Sequence, residues 1–149
     1  MSRTGVFHFS LDTVLKVREI REEQARIALS RAIQDRERTA RAMRESELRR
    51  YQILKLLGRD RAGIRSAEEF RLLKAYLEHL DMAIDGLRKR LANQDREVAD
   101  NRTQLSQRHQ EHRLLTNLRT RYLRRWRQEM LRTWEKETEA MILTHRQGK

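Results

Sequence analysis

Neither cysteine nor proline occurs among the 149 residues. Without cysteine there is no disulfide framework and no thiolate chemistry. Without proline nothing forces a helix to break, however far its pattern runs. Glycine is almost as scarce, with five residues at positions 5, 58, 63, 86 and 148, too scattered for a phosphate-binding glycine-rich loop. Hydrophobic residues make up 38% of the chain and aromatic residues 5%, poor material for a layered globular core but enough for the narrow apolar stripe of a helical hairpin. No apolar run of about 18 residues occurs, so the sequence predicts no transmembrane helix, and its start lacks the apolar core of a secretion signal. The expectation is a soluble protein working from the cytoplasm or on a membrane surface.

Charge and periodicity are what the chain has in quantity. Lys plus Arg number 34 against 22 Asp plus Glu, for a formal net charge of +12, and arginine dominates lysine. Such an excess predicts an acidic partner, whether a protein surface, a nucleic acid or an anionic membrane face. Disorder would suit so charged a chain, but a seam of residues argues against it. In alternating steps of three and four it runs Phe70, Leu73, Leu77, Leu80, Ile84, Leu87, Leu91, then Gln94, Val98, Asn101, Leu105, Arg108, His112, Leu115, Arg119, Tyr122 and Trp126. An average step of about 3.5 residues marks a helix that supercoils around a partner helix.

The partner lies earlier in the chain. Ser10 is a plausible cap and Asp12 suits a first turn, so helix one should begin near Leu11 and carry Leu11, Val14, Leu15, Val17 and Ile20 as its first stripe. From Ala25 a thinner seam continues through Leu29, Ala32, Arg36, Thr39, Met43, Ser46, Arg50, Ile53 and Leu57. The hairpin should be held best near Ile53, Leu54, Leu56 and Leu57, and be looser between Ala32 and Ser46. Gly58 and Gly63 bracket Arg59, Asp60, Arg61 and Ala62, which reads as the turn, and Ser66 with Glu69 reads as a capping box. The fold class is all-α: a two-helix antiparallel coiled coil in one domain, with helix one over about 11–57, the turn over about 58–67 and helix two, the longer, over about 68–145. A turn centred there pairs residues whose numbers sum to about 125 and leaves about 30 residues of helix two, roughly 45 Å, without a partner.

Catalytic chemistry finds little footing. His109 and His112 lie three apart on one helical face, where two imidazoles can share a metal ion, but no carboxylate accompanies them in a ligand pattern. They read as solvated or seam histidines, and the expectation is no enzyme, no metal and no cofactor. Between Glu111 and Glu129 stand Arg113, Arg119, Arg121, Arg124, Arg125 and Arg127 without one acid, interleaved with Leu114, Leu115, Leu118, Tyr122, Leu123 and Trp126. Met130, Leu131, Trp134, Met141, Ile142 and Leu143 follow. This apolar face either curls back onto the stripe from Phe7 to Ile20 or docks another molecule. Arginine with aromatics can also bind nucleic acid through phosphates and stacking, but no nucleic-acid fold signature accompanies it, and nucleic acid is not the expected partner. A basic adaptor for nucleic acid or anionic membrane is the alternative; a homodimer through the long seam is another.

The opening string FHFSLDTVLKVREIREEQARIALSRA resembles the start of the FliJ family, a soluble component of the bacterial flagellar type III export apparatus. The resembling features are Phe7 and Phe9 alternating with polar residues, then Leu11, Val14, Leu15 and Arg18, then a Glu-rich turn of helix leading into an Ala-rich one, with a glycine turn and a longer second helix beyond. The resemblance implies a stalk similar to that of the rotary ATP synthase. It implies a hexameric export ATPase as partner, with both chain ends directed into the ring, the membrane export gate FlhA as a second partner, and a link to export chaperones. Leu11, Leu15, Arg119, Tyr122, Arg124, Arg125 and Trp126 are the candidates for the ring contact. Tyr76, Leu80 and Ala83 resemble the gate-binding positions on helix two, with Leu87 where the family has a polar ring, and Tyr51 is the helix-one candidate. The implied place is the cytoplasmic face of the inner membrane at the flagellar base; stalk proteins of injectisome systems are the near alternative.

Overall fold

The computed structural model describes residues 5–58 and 66–148. It contains two α-helices: α1, Asp12–Gly58, of 47 residues, and α2, Ala67–Gln147, of 81. The fold is all-α, a two-helix antiparallel coiled coil whose second helix is the longer. Backbone hydrogen bonding in α1 begins where the Leu15 N–H donates to the Leu11 carbonyl at 2.9 Å, one residue after the expected Ser10 cap. At the start of α2 the Glu69 N–H donates to Ser66 Oγ at 3.2 Å, as the capping box requires. Acidic residues occupy both first turns (Asp12; Glu68 and Glu69) and basic ones both last turns (Lys55; His145 and Arg146), each favourable to the helix dipole. Gly86 is helical with open space around it, so it costs α2 about 1 kcal/mol relative to alanine and no more.

The expected turn residues Arg59, Asp60, Arg61, Ala62 and Gly63 lie outside the described residues. Gly58 is the last residue of α1. Contacts gather into two units, one of Met1–Gln24 with Ser106–Lys149 and one of Ala25–Leu105.

In the second unit Arg36 Nε donates to Asp95 Oδ1 and Arg50 Nε to Asp81 Oδ1, each at 2.5 Å. Both pairs have residue numbers that sum to 131, so the register differs by about six from the expected 125, although the helix ends at Gly58 and Ala67 themselves sum to 125. The seam itself holds at every position from Ala25 to Leu57 and from Leu73 to Leu105: none is exposed. Ala32, Ile53, Leu80, Ile84 and Val98 are its buried apolar residues, and Thr39 and Gln94 its buried polar ones. The stretch between Ala32 and Ser46, expected to be loose, therefore contains two buried residues, and Thr39 Oγ1 is satisfied by the Asp35 carbonyl at 3.2 Å. Leu54 and Leu56, expected to hold the hairpin, are exposed. Gln94 Oε1 is buried with no hydrogen-bond partner, the kind of polar seam position that fixes register at a cost in stability.

In the first unit Phe9 and Leu115 are the buried apolar residues, with Leu11 and Leu15 half-buried. Val14, Val17 and Ile20 are exposed, so the first stripe is not the one expected. The three-and-four steps of Ala25 extended backwards give Glu22, Arg18, Leu15 and Leu11, and these are the inward positions. On α2 the seam passes through Leu115, Leu118, Leu123 and Trp126, while Arg119 and Tyr122 lie at its edge.

Candidate protein-docking site

The first unit gathers most of the chemistry. Phe7 and Phe9 are two residues apart, so in extended backbone they turn to the same side, and both meet α2. The Phe9 ring lies edge-on to Tyr122 with centroids 5.7 Å apart, and Phe7 is tilted against Trp126 at 6.0 Å. The Arg119 guanidinium sits over the Phe7 ring, 5.5 Å from its centroid. The structure therefore brings Arg119, Tyr122 and Trp126 together around the N-terminal aromatics. Leu11 and Leu15 are half-buried in the same unit, and Arg124 and Arg125 are exposed on α2.

Beyond Trp126 the helix goes on without folding back. Met130, Leu131, Trp134, Met141, Ile142 and Leu143 are all exposed, and Trp126, Arg127, Met130, Leu131 and Trp134 line a shallow hollow. Since Phe7 reaches Trp126, the segment without a partner among the described residues is 127–147, roughly 30 Å at 1.5 Å per residue and shorter than the 45 Å expected.

One part of this unit escaped the sequence reading. Glu22, 6% exposed, lies between two histidines of the facing helix, with Oε1 2.8 Å from His109 Nδ1 and Oε2 2.5 Å from His112 Nδ1. Close by, an Arg18 Nη1–H donates to the Glu111 carbonyl at 2.9 Å and Arg108 pairs with the Glu111 carboxylate at 3.3 Å. The hydrogen bond with His109 is the main force holding the Glu22 carboxyl below its ordinary value of 4.5; burial opposes it, and the bond and charge of His112 reinforce it. A group whose folded pKa is lowered contributes stability that is present above its unfolded value and lost as pH falls through the lowered one. Glu22→Gln should therefore lower stability near neutrality by roughly 1 kcal/mol, a figure kept small because His109 is half-exposed. The gap between parent and variant should close as pH drops below about 4.5 in thermal melts followed by circular dichroism; a gap independent of pH would contradict an ionised Glu22. Among the described residues no group of three potential ligands could hold a metal ion.

The gate candidates lie in the second unit. Tyr51 and Tyr76 are exposed and Ala83 is half-buried, but Leu80 is only 4% exposed and faces the seam. Leu87, beside them, is half-buried.

A family model described as the flagellar FliJ protein matches residues 7–147, nearly the whole chain. The chain belongs to the FliJ family. Its membership implies a flagellar export-related stalk component. No curated protein and no solved structure matches the chain. No helix among the described residues is long and apolar enough to cross a membrane. The FliJ match includes the aromatic pair at Phe7 and Phe9 and runs to Gln147, so it covers both the terminal cluster and the unpartnered end of α2.

Proposed function

We propose that this FliJ-family chain is a non-enzymatic stalk that couples the hexameric flagellar export ATPase to the membrane export gate. The observation that carries the reading is the terminal cluster: the first aromatics of the chain seat on Tyr122 and Trp126, with Arg119 over Phe7 and five more arginines on the same stretch of α2. Such a face suits a ring lumen offering apolar and acidic contacts, because the planar guanidinium pairs with carboxylates and stacks on aromatics. Leu11, Leu15, Arg119, Tyr122, Arg124, Arg125 and Trp126 would form the ring contact. Tyr51, Tyr76 and Ala83 would meet the FlhA gate from the second unit. Leu80, buried in the seam, would serve that contact by holding α2 in place. Export chaperones are further candidate partners, and the place of action would be the cytoplasmic face of the inner membrane at the flagellar base.

The test is ATP turnover by the export ATPase of the same organism, with and without the full chain, while hexamer formation is followed by light scattering. Stimulated turnover together with ring assembly is the expected result. No change in either at micromolar chain would sink the reading.

A further inference from the structure

Charged pairs between the helices recur at a fixed step. On α1 they use Glu22, Arg36 and Arg50, each two heptads from the next, and on α2 His109, Asp95 and Asp81, so that in either unit the paired numbers sum to 131. The heptads between these on α2 carry Lys74, Arg88 and Arg102. The seam alone does not demand this register, because sliding one helix by seven residues keeps every inward position inward. Nor do the helix ends. Gly58 and Ala67 would stand level in a register near 124, one heptad away, whereas at 131 the first turns of α2 run past the end of α1 and leave Phe70 and Leu72 exposed.

We infer that the alternation of charge along α2 locks the second unit in this one register. A slide to 124 sets Arg36 against Arg88 and Arg50 against Lys74, and a slide to 138 sets them against Arg102 and Arg88. Either way two attractions become two repulsions. The Arg36–Asp95 and Arg50–Asp81 pairs are about half-exposed, so each adds little to stability. A register, however, is chosen on the difference between two pairings, and in that difference every lost attraction and every new clash counts. At about twofold for each of the four, 131 is favoured over either neighbour by about tenfold or more. A slide of two heptads keeps one Arg–Asp pair and uncovers two heptads of seam. One heptad is about 10 Å of helix, so the lock also fixes how far Tyr51 stands from Tyr76 along the pair. Only that consequence rests on the stalk reading, and the lock stands without it.

The absence of cysteine makes the test direct, since spin labels attach only where a cysteine is introduced. In the full chain, labels on Leu48→Cys and Glu97→Cys, both exposed, should give one distance by double electron–electron resonance. Re-phasing the charges with Lys74→Asp, Asp81→Arg, Arg88→Asp and Asp95→Arg makes 124 the register that pairs both arginines of α1. The distance should then lengthen by about 10 Å, because Leu48 moves one heptad further from Glu97. Exchanging the pairs, with Arg36→Glu, Arg50→Glu, Asp81→Arg and Asp95→Arg, keeps the attraction at 131 but turns the clashes with Arg88 and Lys74 into attractions. The longer distance should then appear beside that of the parent. Circular dichroism reads the helicity of each chain. Two distances in the parent, or a helical re-phased chain that keeps the parent distance, would overturn the inference. Should re-phasing cost the fold, an exchanged chain that shows the parent distance alone would overturn it as well.

Discussion

Reversing the charge at Arg119, Arg124 and Arg125 together should weaken binding of the chain to the hexameric export ATPase by about 100-fold. Each arginine at a partly desolvated interface is worth about 1 kcal/mol, and three such losses give that factor. The triple variant should remain helical, because Arg124 and Arg125 are exposed and neither lies in the seam. Arg119 differs: it sits over the Phe7 ring, and Arg119→Glu removes a contact worth about 0.5–1 kcal/mol within the terminal cluster. The double variant at Arg124 and Arg125 separates the two effects, since it should lose about 30-fold in affinity with no change in melting temperature. Titration of labelled chain with the assembled ATPase at two salt concentrations reads both quantities. The parent affinity should fall as salt rises, and that of the triple variant should fall less. Unaltered binding by the triple variant would remove the arginine face from the ring contact.

The periodicity of the sequence carried most of the fold and little of the site. Steps of three and four located the inward positions of both helices across the second unit, because a coiled coil writes its seam into every turn. They could not set the register, because the helix ends at Gly58 and Ala67 sum to 125 while the residues that pair across the helices sum to 131. A register wrong by about six residues had one chemical consequence. It set Glu22 opposite Thr103, when the structure places it between His109 and His112. A buried carboxylate and its two partners were visible in the sequence only as a charge on one helix and a pair of imidazoles on the other. Continuing the Ala25 steps backwards to Glu22 would have marked it as inward. The terminal cluster was legible in kind, since arginines and aromatics were interleaved on one stretch. That face could fold back on the stripe from Phe7 or dock another molecule, and the sequence did not say which rings meet, because those contacts join residues more than a hundred positions apart.

Leu80→Asp should melt the second unit while Leu72→Asp should leave it intact. Leu80 is 4% exposed and stands one turn before Ile84, itself 6% exposed, where the Arg50–Asp81 pair sets the register of α1 against α2. Loss of a buried leucine side chain costs about 2–5 kcal/mol, and an aspartate there adds an unpaired carboxylate among apolar residues. Few buried residues hold this unit, so a loss of about 4 kcal/mol or more is a large share of the stability of a domain this size. Separation of the helices would expose the seam and lower the melting temperature by roughly 10 °C or more. Leu72, at 69% exposed, makes no comparable contact, and its replacement should change stability by no more than about 0.5 kcal/mol. The contrast tests the register as well as the fold, because both leucines lie on α2 and differ in which way they face. Thermal melts by circular dichroism and limited proteolysis across residues 25–105 would measure it. If Leu80→Asp kept the parent melting temperature, Leu80 would not face the seam. It would then return to the exposed set with Tyr51 and Tyr76, as a side chain free to touch the gate.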